Sequence, residues 1–154
     1  MGDNMNIRKL NTGETPPFEL LLLADPSKKI VEEYINRSEC FVAEIEQQMI
    51  GVYVLLPTRP QTVELVNIAV VEEQHGKGIG KQLVIDAINR SKAKGYKILE
   101  IGTGNSSIGQ LALYQKCGFR ITGVEIDFFS KHYPEEIFEN GIPCRDMIRL
   151  SQNL

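Results

Sequence analysis

The sequence predicts a mixed α/β fold. Three features predict it: hairpin-like apolar runs early in the chain, strand–helix–strand crossovers late, and a long β-branched strand that passes through a glycine turn into a helix. A chain of 154 residues, 42% hydrophobic and 24% charged, has the size of one domain and enough apolar material for a core. No internal repeat, low-complexity tract or linker divides it, so residues 1–154 are read as a single domain.

Met5–Lys9 is read as a short first strand. Pro16-Pro17 opens a helix through Leu23, because proline is tolerated in a first turn, where amide hydrogens lack partners. Lys28–Asn36 follows as a second helix, with Ile30, Val31, Tyr34 and Ile35 on one side. Cys40–Ile45 and Met49–Leu56 read as two strands joined by the polar tip Glu46-Gln47-Gln48, and Pro57 and Pro60 are expected to end the second. Thr62–Val71 is a third, longer strand. Ile79, Leu83, Val84, Ala87 and Ile88 then recur at helical spacing, which predicts a helix over Gly78–Lys94 with Gly95 as its stop. Tyr96–Gly102 is another strand, and Ser107–Cys117 a helix with Ile108, Leu111, Ala112 and Tyr114 in register before Gly118. Phe119–Phe129 and Asp146–Leu150 are expected as the last strands. Ser130–Arg145 lies between them, with a short helix around Pro134–Phe138.

The formal net charge of −3 argues against a general polyanion binder, so no nucleic-acid partner is expected and any phosphate site must be local. Cys40, Cys117 and Cys144 are far apart and odd in number, which excludes a Cys-x-x-Cys pair and a closed disulfide framework and suits a reducing cytoplasm. Gly2 is followed by Asn6 where a myristoylation signal needs Ser or Thr. The most apolar run, Phe18–Ala24, is far shorter than the roughly 20 residues that cross a bilayer and lacks the basic flank of a signal peptide. No membrane partner is expected.

The turn His75-Gly-Lys-Gly-Ile-Gly80 poses the functional question. Alternate glycines strip side chains from the surface a ligand would touch, and the following helix presents free amides and the positive end of its dipole. Lys77 and Lys81 add local positive charge, so the turn is fitted to a phosphate or pyrophosphate. It is not a P-loop, since no Lys-Ser/Thr pair stands at the required place. It is not a dinucleotide fingerprint either, since the glycines fall at 76, 78 and 80. Gly102-Thr-Gly104 fails the same test, with Ser107 in the third glycine's place.

The turn resembles the acetyl-coenzyme A motif of the Gcn5-related N-acetyltransferase superfamily, Gln/Arg-x-x-Gly-x-Gly/Ala at the start of a helix, with His75 in its first place. A second stretch, Ala112-Leu-Tyr-Gln-Lys-Cys-Gly-Phe119, resembles that family's Leu-Tyr-x-Lys-x-Gly-Phe helix end. The resemblance implies a mostly antiparallel central sheet flanked by helices. It implies pyrophosphate on the amides of Gly76, Lys77, Gly78, Ile79, Gly80 and Lys81, and a pantetheine arm paired like an added strand with Ile68, Ala69 and Val70. The strands that begin near Thr62 and Tyr96 would diverge to admit the thioester.

For the chemistry, the resemblance points to Tyr114 as proton donor to the departing sulfur, against the plainer role of a packed aromatic. Glu64, early on the third long strand, is the candidate base, acting directly or through water, against that of a solvated edge carboxylate. Strict alternation puts Asn67 on the opposite face from Glu64 unless a bulge intervenes. Asn105 is set either to contact the pantetheine or to cap the next helix, while Ser107 falls at the family's usual asparagine place. Cys117 is read as a buried small residue, since no activating pair accompanies it, and His132 as a surface residue outside any zinc-like spacing. No metal is implied. Glu135, Glu136 and Glu139 concentrate negative charge in the late segment, which suits a cationic acceptor or a merely solvated face. Taken with the resemblance, these residues predict a cytoplasmic N-acetyltransferase that moves the acetyl group of acetyl-coenzyme A directly to a primary amine of a small molecule or peptide. The alternative is a non-catalytic acyl-coenzyme A binding or sensing module. The sequence leaves open whether the chain forms a homodimer.

Overall fold

The structure, a computed structural model, describes residues 4–154, so the reading of Gly2 lies outside the described residues. In chain order the elements are β1 (Met5–Lys9), α1 (Phe18–Ala24), α2 (Lys28–Ile35), β2 (Glu39–Ile45), β3 (Gln48–Arg59), β4 (Thr62–Val70), α3 (Ile79–Ala93), β5 (Ile98–Gly104), α4 (Ile108–Lys116), β6 (Arg120–Glu125), α5 (Phe128–His132), β7 (Phe138–Glu139), β8 (Ile142–Pro143) and β9 (Met147–Asn153). Seven strands form one sheet in the order β1-β2-β3-β4-β5-β9-β6, and β7 and β8 make a separate small hairpin. Among the described residues only the β4–β5 pair in the sheet is parallel, as a crossover through α3 requires.

The sheet is covered on both faces, which explains why β2 and β3 read as nearly continuous apolar runs. On one face Phe41, Tyr53, Leu55, Val63 and Leu65 pack against Ile79, Leu83, Val84 and Ala87 of α3 and Tyr114 of α4. On the other, Val42, Val52, Val54 and Ala69 pack against Leu20 and Leu21 of α1 and Val31, Tyr34 and Ile35 of α2.

Several sequence expectations are corrected. Strand β3 runs through Pro57 to Arg59, because the last β2 rung is Glu39 with Leu55. Beyond it one side of β3 is an edge, where a residue without an N–H breaks no ladder. Phe128 and Phe129 leave the strand after a left-handed turn at Asp127, φ 62°, and enter α5, while Phe138, expected in a helix, pairs in β7. In α4, Ile108 is 52% exposed and Ala112 is exposed, whereas Leu113 packs inward with Leu111 and Tyr114.

One irregularity matters for function. Val54 faces Asn67 and the next β3 residue, Leu55, faces Leu65, so Val66 is an extra residue in β4. Val63 and Leu65 pack toward α3, leaving Glu64 on the α1–α2 side, where Val66 and Asn67 also lie. The bulge therefore brings Glu64 and Asn67 to one face, which strict alternation forbids.

Candidate active site

Pairing between β4 and β5 runs from Thr62 with Ile98 to Leu65 with Ile101 and stops there. Strand β4 goes on pairing with β3 as far as Val70 with Gly51, and β5 goes on with β9 as far as Gly104 with Met147. The β5-facing edge of β4 from Val66 to Val70, which includes Ile68, Ala69 and Val70, is thus open to an extended ligand with amides of its own. Gly102 and Gly104 keep β5 close to its other neighbour, since a Cβ there would collide with Met147 or Cys144.

The open edge ends at the glycine turn. Gly76 and Gly78 both have φ 79°, the left-handed region that disfavours other residues, and a Cβ on either would meet only open space. The first bond into α3 runs from the Gln82 N–H to the Gly78 carbonyl at 3.1 Å, so the amides of Ile79, Gly80 and Lys81 have no intrahelical partner. An anion can meet them together with the exposed Lys77 and Lys81. His75 Nε2 lies 2.8 Å from the Val70 carbonyl oxygen and ties the turn back to the end of β4. Gly80 faces α4, where an added Cβ would lie 3.8 Å from Leu113, so the α3–α4 contact is one residue from Tyr114.

Tyr114 is 4% exposed and sets its ring edge to Phe119. Burial pushes its phenol above the ordinary range, so the hydroxyl keeps its proton. Burial also pushes the Cys117 thiol up, which leaves it a poor nucleophile.

Glu64 is half-buried on the α1–α2 face, and desolvation raises its pKa against the pull of Arg149, whose guanidinium donates to Glu64 Oε2 at 3.4 Å. The same Arg149 donates to Glu125 at 2.7 Å. Sequence reasoning missed Arg149, which reaches Glu64 from β9 across β5, a neighbour relation set by strand order alone.

Neither Asn105 nor Ser107 caps α4 through its side chain, which corrects the capping expectation. Asn105 Oδ1 accepts from the Arg145 and Asp146 amides at 2.8 and 3.0 Å, and its Nδ2 donates to the Pro143 carbonyl at 3.1 Å. It holds the strap between β8 and β9. Ser107 donates to Glu139 Oε1 at 2.7 Å, so Glu139 pins the β7–β8 hairpin at the start of α4 while Glu135 and Glu136 stay exposed. His132 is exposed and sets its ring at a tilt against Phe128, 4.6 Å between centroids. Among the described residues no group of His, Cys, Asp and Glu is arranged to hold a metal ion, and no helix is long and apolar enough to cross a membrane.

The sequence profile of the Acetyltransferase (GNAT) family matches residues 7–119. An uncharacterized N-acetyltransferase of Bacillus subtilis (strain 168), YvbK, is 59% identical over 154 residues that cover 98% of this chain and 99% of that one. A GNAT family acetyltransferase from Elizabethkingia anophelis, solved with acetyl-CoA bound, is 50% identical and superposes with a TM-score of 0.96, covering 99% of this chain and 100% of that one. A Bacillus subtilis acetyltransferase solved in complex with CoA is 59% identical, with a TM-score of 0.93 over 98% of this chain and 99% of that one. The chain belongs to the GNAT acetyltransferase family as an acetyl-CoA-dependent N-acetyltransferase.

Proposed function

We propose that this enzyme, acting in the cytoplasm as a single domain, transfers the acetyl group of acetyl-CoA directly to a primary amine of a small molecule or peptide. The observation that carries the reading is the end of β4–β5 pairing at Leu65 and Ile101, next to Glu64 and continuous with the open edge that leads to the glycine turn. The pyrophosphate rests on the amides of Gly76–Lys81, and the pantetheine amides pair along Ile68–Val70.

Glu64, with its raised pKa, takes a proton from the incoming ammonium, directly or through water. The neutral nitrogen attacks the thioester carbonyl carbon, the C–S bond breaks as the amide forms, and the second nitrogen proton passes through water to the departing sulfur, which leaves as the CoA thiol. Tyr114 donates to the departing sulfur. An ordinary thiol titrates at about 8.5, below this phenol, so complete transfer from Tyr114 is uphill and its main contribution is a hydrogen bond to the developing negative charge. Direct transfer is favoured because the thiols of Cys117 and Cys144 are both held in the protonated form by burial, which leaves no ready acyl carrier. The three free cysteines suit a reducing compartment.

The test is a panel of primary amines and amino-terminal peptides incubated with acetyl-CoA, with coenzyme release and product mass measured. An acetylated amine establishes the reading. Coenzyme binding with no amine acetylated across the panel, or an acetylated enzyme thiol on the path, overturns it.

A further inference from the structure

Beneath the last turn of α1 lies a group of polar side chains that the transfer step leaves unused. The Leu21 carbonyl accepts both the Asp25 N–H at 3.1 Å and Asn67 Nδ2 at 3.0 Å, so Asp25 and Asn67 are held against the same carbonyl. Asn67 Nδ2 also donates to the Tyr34 hydroxyl at 2.9 Å. Both amide protons are then spent, yet Asn67 Oδ1 has no partner although the residue is 3% exposed. A buried acceptor left unpaired is costly, and such an exception calls for a strain, water, ion or ligand that answers it.

Asp25 adds a second unmet demand. Its Oδ1 accepts from the Ser27 N–H at 3.1 Å and from the Tyr133 hydroxyl at 2.8 Å, but among the described residues Asp25 joins no ion pair. Desolvation raises its pKa, as expected of a carboxylate without a counter-ion. Burial above all raises the Tyr34 pKa, to about 12, with the charges of Asp25 and Glu64 adding to it, and the bulge at Val66 sets Glu64 on the same face of β4 as Asn67, which bonds the Tyr34 hydroxyl. Tyr133 comes from the segment after α5 and closes the group from the far side. A compact cation with several N–H donors answers both demands, and an alkylammonium is the simplest.

We propose that Asp25 and Asn67 Oδ1 bind a second cationic group of the acceptor, an ammonium some carbons away from the amine that reacts at Glu64. The acceptor class is thus a primary amine with a second ammonium. The inference rests on the reading of Glu64 as the acceptor end of the site and adds the residues that select what comes there.

The experiment uses 1,3-diaminopropane, 1,4-diaminobutane and 1,5-diaminopentane, each against the monoamine of equal carbon number. Binding to the CoA complex is measured by calorimetry, and acetylation by kcat and KM separately. At least one diamine is expected to bind the wild type about tenfold or more tightly than its monoamine, the scale of one charge-assisted hydrogen bond. Asp25→Asn keeps an oxygen for Ser27 and Tyr133 but removes the charge. It is expected to abolish the diamine preference through KM or Kd, with monoamine values and CoA affinity unchanged. Tyr133→Phe, which frees the carboxylate, is expected to keep the preference. Equal affinity for every diamine and its monoamine in the wild type overturns the inference, as does an Asp25→Asn variant that weakens both alike. Because the binding arm needs no acetylation, a diamine preference without product counts against the proposed transfer alone, and acetylation without preference counts against the second-cation site alone.

Discussion

Leu65 and Ile101 form the last rung between the two parallel strands at the centre of the sheet. Two residues farther along β4 stands Asn67, which strict alternation would set facing away from Glu64. The extra residue Val66 turns it back to the same side. The place where the sheet opens is thus also the place where the polar side chains gather.

The turn at the end of that opening is the first target for mutation. Gly78→Ala introduces strain of roughly 1–2 kcal/mol at a left-handed position and is expected to lower Tm modestly and weaken CoA binding somewhat. Gly78→Asp adds a carboxylate where the anion sits and is expected to abolish measurable binding. Calorimetry on folded protein decides the matter, and native affinity in the Asp variant removes the turn from the site.

Glu64→Gln is expected to reduce kcat by about a hundredfold or more, the range of a lost general base. Its effect on stability has the opposite sign. Burial makes the folded chain hold the Glu64 proton more tightly than the unfolded chain does. That contribution to stability is present at low pH and fades as pH rises through the ordinary carboxylate range toward the raised value. The glutamine never ionises, so the variant should gain Tm over the wild type at pH 8 and not at pH 4. A Tm difference independent of pH would show that Glu64 is an ordinary carboxylate.

Arg149 pulls the Glu64 pKa down against burial. Arg149→Met should therefore move the acid limb of kcat/KM to higher pH, while CoA affinity stays as it was. An unmoved limb would assign it to another group.

Tyr114→Phe keeps the buried ring and its contact with Phe119 and removes only the hydroxyl. A lost hydrogen bond to developing charge is worth about 1.5–3 kcal/mol, so kcat should fall roughly 10- to 100-fold with CoA affinity little changed. Single-turnover measurements keep product release from masking the effect. Full single-turnover activity in the Phe variant would make Tyr114 a packing residue.

The amino-acid order alone was enough for the features built from neighbours in the chain. The glycines at 76, 78 and 80 require a bare turn and an exposed helix start wherever they lie, and the apolar spacing of Ile79, Leu83, Val84 and Ala87 marks the buried side of α3. The burial of Tyr114 is legible in the same way, from its helical spacing with Leu111. What depended on residues far apart was not. The bulge at Val66 is a matter of how β4 registers on β3, and Arg149 reaches Glu64 only because β9 enters the sheet between β5 and β6. Asn105 carries the side chain a helix cap needs, yet it is drawn to the strap at Pro143–Asp146, some 40 positions later, because three hydrogen bonds to that strap outweigh one to a local amide. Local preference is set by a residue and its neighbours in the chain. Register, strand order and the company of a buried polar atom are set by the whole sheet, since a hydrogen bond far along the chain counts as much as a near one once folding has brought the partners together.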